Sequence, residues 1–242
     1  MSEKNSFYIT TTLPYVNSDP HIGFALELVQ SDAIARYKRL IGQNVFFNTG
    51  TDEHGQKIFE ASQKAGEEVR SYTDRYSLEF KKLKGALSIS NDTFIRTTEE
   101  RHKIAAQEMW RRCDQAGDIY KKSYEGEYCV GCESFKTEKD LDKGGHCLLH
   151  PSLKITTLKE ENYFFRFSKY QEQLLRYLAR PGVIIPEWRR EEAVNFVKSG
   201  LEDFSISREK ERLNWGVPVP GDDTQVMYVW FDALTNYIST LG

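Results

Sequence analysis

Three groups of residues have types and spacings that could do chemistry. Cys129 and Cys132 make a C-x2-C pair, and Cys147 and His150 make a C-x2-H pair after fourteen intervening residues. Two knuckles of this form bring three thiolates and an imidazole to one ion on a tetrahedron, which suits zinc. Four protein ligands leave no open position, so such a metal is structural and holds a small unit that lacks enough core of its own. Gly131, Gly144 and Gly145 stand where tight turns would need them. His146, beside Cys147, is a rival ligand of less suitable spacing, and Cys113 lies on the apolar ladder of a helix and reads as core. The alternative is four incidental residues, although cysteines seldom pair in this way by chance.

The second group is "PYVNSDPHIGFALELVQ", Pro14 to Gln30, where extended chain gives way to a helix. A helix N-terminus presents unpaired N–H groups and a partial positive charge. Following a strand at the end of a parallel sheet, it is a ready phosphate site. Gly23 has no Cβ and lets a ligand lie close to the backbone. His21 could donate to a phosphoryl oxygen and follow charge developing there; the plain alternative is a satisfied surface residue beside a helix start. The third group is "TGTDEHG", Thr49 to Gly55. Asp52 could anchor an ammonium group, the alternative being a turn-capping aspartate, and His54 could face the same cleft.

The elements that must position these groups alternate. Phe7 to Leu13 reads as a strand with β-branched residues. From Ile22 the apolar residues Ala25, Leu26, Val29, Ala33, Tyr37 and Leu40 keep helical spacing up to Gly42. Val45 to Phe47 is a second strand, and helices follow with Ile58, Ala61 and Ala65, then with Val69, Tyr72, Tyr76, Phe80 and Leu83. Strand, helix, strand, helix predicts an α/β unit with a parallel sheet, both loops opening at its ligand-binding edge. Thr97 and Glu100 form a capping box before a helix with Ala105, Met109 and Cys113 on one face. Gly117 to Phe167 changes character and reads as an inserted β-containing unit. A strand and a helix capped by Ser168 follow, with Leu174, Leu175 and Leu178 as its core face. "NWGVPVPGDD" is rigid turn-like chain, Val226 to Phe231 a strand, and "DALTNYIS" the start of a helix.

The 242 residues suffice for a substantial core and one or two domains. Charged residues make up 29 %, hydrophobic residues 39 %, and the net charge is -3. This near-balance neither favours nor excludes nucleic acid, since a local patch can hold a large partner. No apolar run has the length of a membrane span, and "MSEKNS" leads into a mixed strand rather than an apolar signal core. Four cysteines, three of them in a metal-like arrangement, do not form a disulfide framework. The expectation is a cytoplasmic protein with no membrane and no DNA partner.

Several blocks together resemble the methionyl-tRNA synthetase family of class I aminoacyl-tRNA synthetases. "TTLPYVNSDPHIGFALELVQSDAIARYKRLIG" resembles its first strand, signature loop and helix, and "FFNTGTDEHGQKI" its second strand and loop. "YEGEYCVGCESF" with "CLLH" resembles its zinc site, and "FSISREKERLNWGVPVPGDD" and "YVWFDALTNYIS" the approach to the second half of its catalytic domain. The resemblance implies a Rossmann-like parallel sheet interrupted by a small zinc-binding insertion. The first half is placed at residues 1–112, the connective peptide at 113–223, and the start of the second half at 224–242. It also implies a ligase of protein biosynthesis that uses ATP with Mg2+ to convert L-methionine to methionyl-adenylate. The aminoacyl group then passes to initiator and elongator tRNA(Met), and one structural Zn2+ is bound.

In that scheme a carboxylate is already the nucleophile, so the enzyme aligns reactants and stabilises charge at the phosphates. His21, Gly23, Phe24 and Glu27 match the ATP site. Asp52 matches the residue holding the α-ammonium group, and together with His21 it is assigned to catalysis. Leu13, Tyr15, Trp230, Ala233, Leu234 and Tyr237 match the methionine pocket, where aromatic rings suit a thioether. Two departures stand out. Phe24 replaces the usual second histidine of the signature and either packs inward or covers the adenine. The family's Lys-Met-Ser-Lys-Ser loop and its anticodon-binding domain are not in the sequence, so the chain reads as a truncated portion, weak or inactive alone. Rival readings are a class I synthetase for another amino acid, against which the short insertion argues, and a zinc-stabilised tRNA-binding module without ligase activity. A nicotinamide-dependent dehydrogenase is excluded because no G-x-G-x-x-G follows the first strand.

Overall fold

A computed structural model describes residues 5–132 and 134–242. Its first part is a parallel α/β unit: β1 (Ser6–Thr10), α1 (Ile22–Leu40), β2 (Asn44–Thr51), α2 (Gln56–Ala65), α3 (Val69–Ala86), β3 (Thr93–Arg96) and α4 (Glu100–Gln115). The strands lie in the order β1-β2-β3, with Tyr8 opposite Phe46 and Gly50 opposite Ile95. Gly50 is required there, because a Cβ would lie 1.9 Å from the Ile95 carbonyl oxygen. A core of Phe24, Leu28, Ala35, Phe47, Ile58, Tyr72 and Phe80 fills the space between sheet and helices.

The inward face of α1 differs from the one its apolar spacing suggests. Phe24, Leu28, Ser31, Asp32 and Ala35 are buried, whereas Ile22, Leu26, Val29, Tyr37 and Leu40 are exposed. Two polar residues on the inward side hide it from a hydrophobic count. Asp32 is tolerated there because its carboxylate accepts the Ser90 amide at 2.7 Å and the Arg36 Nε at 2.6 Å. In α4 the buried ladder is His102, Ala106 and Trp110, one position away from the expected Ala105, Met109 and Cys113. Thr97 does not cap α4; Glu99 is the N-cap residue, and the Thr97 hydroxyl accepts the Glu53 amide at 2.9 Å.

The inserted unit is antiparallel. β4 (Ile119–Cys129), β5 (Ser134–Lys136), β6 (Thr156–Phe165) and β7 (Phe204–Ser205) form a sheet in the order β5-β4-β6-β7. Helices α5 (Gln171–Leu178) and α6 (Glu187–Lys198) share a small core of Leu178, Val197 and Leu201. Ser168 caps neither: its hydroxyl donates to Asp203 at 2.6 Å, and Tyr170 stands at the N-cap of α5. A third sheet, in the order β8-β10-β9, joins β8 (Ser207–Glu209), β9 (Pro218–Val219) and β10 (Asp222–Met227). The chain becomes helical at α7 (Val229–Ser239), so Trp230 lies in a first helical turn rather than in a strand. The whole is a Rossmann-type parallel core interrupted by antiparallel strands.

Candidate functional site

The loops leaving β1 and β2 stay paired beyond the strand ends. The Asp52 amide donates to the Pro14 carbonyl at 3.0 Å, the Val16 amide donates to the Asp52 carbonyl at 3.3 Å, and Tyr15 bridges to Asp52 in parallel register. This pairing sets Leu13 and Tyr15, both half-buried, beside the buried Asp52. The Tyr237 ring reaches the same place from α7. Burial raises its hydroxyl above the ordinary tyrosine range; the negative charges of Glu27 and Asp52 add to this, while hydrogen bonds from Asn236 and the Leu13 amide oppose it. Leu13, Tyr15, Glu27, Asp52 and Tyr237 therefore converge at the carboxyl edge of the sheet, where open α/β folds bind ligands. Ala233 is half-buried, whereas Trp230 and Leu234, one turn apart, are 57 % and 58 % exposed on the outward side of α7.

His21 is the N-cap residue of α1. Its Nδ1 accepts the Gly23 amide at 3.0 Å. An Nδ1 that accepts cannot carry the proton of a neutral ring, which places that proton on Nε2, a donor at the solvent-facing side of the helix start. Gly23 serves this arrangement directly, since a Cβ there would lie 2.9 Å from two ring atoms of His21. Phe24 packs inward: it is 5 % exposed and meets Phe80 edge to face at 5.4 Å between centroids. Its ring is withdrawn from the helix-start surface, which corrects the expectation that it lies at the ATP site. The Glu27 carboxylate accepts the Thr12 amide at 2.6 Å and the Thr12 hydroxyl at 2.9 Å, tying the first loop to α1.

Residues beside Asp52 do work that the sequence conceals. The fully buried Glu53 carboxylate takes a two-pronged contact from Arg96, at 2.7 and 2.8 Å, with hydroxyls of Thr51 and Thr98 completing its shell. Its carbonyl accepts the Trp215 indole N–H. Removing one partner of such a pair leaves a buried charge uncompensated, at a cost of about 3–5 kcal/mol. His54 does not face the cleft; its ring is buried and its Nδ1 lies 3.0 Å from an Asp232 oxygen. The partners of Glu53 and His54 are up to 178 residues away in sequence, and no local signal could have announced them.

The metal-like cluster assembles at one end of the β4–β5 hairpin. Sulfur atoms of Cys129, Cys132 and Cys147 and a ring nitrogen of His150 all lie within 4.8 Å of one another. Cys132 Sγ is 3.5 Å from Cys147 Sγ and 3.2 Å from His150 Nδ1. These separations fit the edges of a tetrahedron with zinc-ligand bonds of about 2.0–2.3 Å. All four cysteines are thiols. Burial works against the Cys147 thiolate, but hydrogen bonds from Leu149, Cys132 and His150 outweigh it and hold the thiol down at about 6. A Cβ on Gly131 would lie 2.5 Å from the His150 ring, so the glycine admits the fourth donor. His146 turns away, 3.4 Å from Asp142 and largely exposed, and is no rival ligand. No helix among the described residues is long and apolar enough to cross a membrane.

A family model described as tRNA synthetases class I (M) matches residues 7–152 and 143–242. The chain is 47 % identical over 239 residues to a methionine-tRNA ligase of Thermotoga maritima, covering 98 % of this chain and 38 % of that protein. It is 49 % identical over 241 residues to a methionine-tRNA ligase of Rickettsia bellii, covering 98 % and 46 %. Among solved structures it superposes on Mycobacterium tuberculosis methionyl-tRNA synthetase bound by methionyl-adenylate with a TM-score of 0.92 and 45 % identity, over 98 % of this chain and 47 % of that one. On the free form of the same enzyme the TM-score is 0.79 at 42 % identity, over 98 % and 45 %. The chain thus spans less than half the length of these relatives. With a paired-loop site at the edge of a Rossmann-type sheet, a Cys3His cluster in the insertion, and these matches along almost its whole length, the chain belongs to the class I methionyl-tRNA synthetases.

Proposed function

We propose that the protein containing this chain activates L-methionine with ATP and Mg2+ to methionyl-adenylate and pyrophosphate, and then charges initiator and elongator tRNA(Met). Residues 1–112 are read as the first half of the catalytic domain, 113–223 as the connective peptide, and 224–242 as the start of the second half. The observation that carries the reading is the convergence of Leu13, Tyr15, Asp52 and Tyr237 beside a helix start whose capping His21 keeps a proton on Nε2. The closer superposition on the adenylate-bound relative supports it.

Asp52 takes the α-ammonium group of methionine. Tyr15, Trp230, Ala233, Leu234, Tyr237 and Leu13 bound the thioether, with Trp230 and Leu234 closing over it from the outward face of α7. The α-carboxylate attacks the α-phosphorus without a general base. Charge that builds on the phosphate is met by His21 Nε2–H, the α1 N-terminus and the backbone at Gly23. Glu27 shapes the nucleotide end through its hold on Thr12. Cys129, Cys132, Cys147 and His150 hold one Zn2+, which supplies a structural crosslink in the insertion. The reading places the protein in the cytoplasm, without DNA or membrane partners.

The test is amino-acid-dependent pyrophosphate exchange by the full-length protein. Methionine should support exchange, and leucine and valine should support it far less. A site built on shape separates a missing methylene by only about 1–3 kcal/mol, so homocysteine should be activated measurably. No exchange with any amino acid would leave the zinc-stabilised tRNA-binding module as the better account.

A further inference from the structure

We propose that Asp232 is a positioning residue whose buried, two-sided grip sets the methionine-binding wall of α7 against the Asp52 loop. Asp232 is fully buried, and each carboxylate oxygen meets a different imidazole: Oδ2 is 3.0 Å from His54 Nδ1, and Oδ1 is 3.3 Å from His102 Nε2. A carboxylate only accepts, so both rings donate. His102 Nδ1 continues the chain to the Ser239 hydroxyl at 3.1 Å, two turns further along α7. His54 is steadied edge-on by the Trp215 ring at 5.5 Å, and Trp215 in turn donates to the Glu53 carbonyl.

The geometry gives this network more than a packing role. His54 is two residues from Asp52, on the same loop. Asp232 lies between Trp230 and Ala233 on α7, and Tyr237 is five residues on. One carboxylate therefore links the residue assigned to the substrate ammonium with the helix assigned to its side chain, and His102 braces both against α4. The Gly55–Val229 approach reinforces the junction, since a Cβ at Gly55 would lie 3.2 Å from the Val229 side chain. A rotation of α7 that withdrew Asp232 would carry Tyr237 away from Asp52 and Leu13, and a misplacement of about 1 Å at a reacting site can cost on the order of 10²-fold. All four network groups are buried, and the two elements they tie together carry the residues assigned to methionine, so losing one should affect methionine binding before nucleotide binding.

The inference rests on the proposed ligase reading, and the test separates the two. The unmodified full-length protein reports on the reading; the variants report on the network. His54→Ala should raise the methionine KM about tenfold or more while the ATP KM stays within about twofold. His54→Asn, whose amide N–H stands near the position of Nδ1–H, should recover most of the loss. If His54→Ala does not fold, His102→Gln and His102→Asn serve instead: the first keeps a donor near the Nε2 position, the second withdraws it, and only the second should raise the methionine KM. Amide hydrogen exchange needs no activity, and in the donor-less variant it should quicken in Val229–Ser239 more than in β1 and β2. Equal shifts in both KM values, no rescue by the donor-keeping variants, or unchanged exchange in α7 would each overturn the proposal.

Discussion

At the scale of the residue, His21 shows how one side chain can satisfy both of the readings its sequence position allows. It is a helix cap through Nδ1 and a potential phosphate donor through Nε2. The two roles can be separated. Asparagine is a strong N-cap but carries no donor at the Nε2 position. In the full-length protein, His21→Asn should keep the melting temperature close to that of the parent while lowering kcat for pyrophosphate exchange on the order of 10²-fold, with a smaller change in the ATP KM. Exchange kinetics equal to the parent's would reduce His21 to its capping role. Phe24 calls for the opposite expectation. Its ring is core, packed on Phe80, so Phe24→His should not repair a phosphate contact. It should destabilise the fold by about 1–3 kcal/mol through a buried imidazole without a partner, seen as a lower denaturation midpoint, and leave kcat per folded molecule unchanged. A rise in kcat would place position 24 at the nucleotide after all. The helix start at His21, the loop carrying Asp52 and the cysteine knuckles were legible because their signal is local spacing. Glu53, Arg96 and Asp232 were not, because each takes its meaning from a partner that only the fold brings near.

At the scale of the element, legibility follows the length and one-sidedness of the pattern. The alternation of β1, α1, β2 and α2 could be read because turn residues and β-branched runs mark each boundary. The orientation of α1 could not, since Asp32 and Ser31 occupy its inward face while several large apolar residues stand outside. The β10–α7 junction is hidden for a related reason: "VMYVWF" is apolar and aromatic throughout, and the change to helix shows only in the fold, where the Phe231 and Asp232 amides both donate to the Tyr228 carbonyl. In the insertion, two turns bring three sulfur atoms and one imidazole together. Leu148 and Leu149 in the turn at Cys147–His150 stand exposed, so a bound metal should carry much of the stability of that turn and of its link to the Cys129–Cys132 hairpin. Protein purified without added zinc should contain close to one equivalent of the metal by atomic emission. Cys132→Ala and His150→Ala should lose it, whereas His146→Ala should retain it because that ring pairs with Asp142 outside the cluster. Retention of metal by His150→Ala would send the assignment of the fourth ligand back to the other histidine.

At the scale of the whole molecule, the question is how sheets of different kind are held to one another. The parallel unit was readable because its connections are short. The junctions to β10 were not, because β4 and β6 each meet it through residues about 60 to 100 positions apart. Asp222 is one such junction. The Thr224 hydroxyl and amide bind one of its oxygens, at 2.5 and 3.0 Å, while Lys121 of β4, at 3.1 Å, and Tyr163 of β6, at 3.0 Å, bind the other. The Thr224 hydroxyl contributes most to holding the carboxyl down at about 2, and burial opposes it. The sign follows from linkage. A carboxyl with a depressed folded value contributes stability that is fully present above its unfolded value, near 4, and that is lost as pH falls through the folded value, near 2. Asp222→Asn removes the titration and the charge together. The variant should therefore melt below the parent at neutral pH, by an offset that stays constant down to about pH 4.5 and shrinks toward pH 2. Melting temperatures of the two proteins measured in parallel across that range would show it. An offset that held constant to pH 2 would mean that the carboxyl titrates alike in the folded and unfolded chain, and that Asp222 joins the two sheets by its hydrogen-bonding shape rather than by its charge.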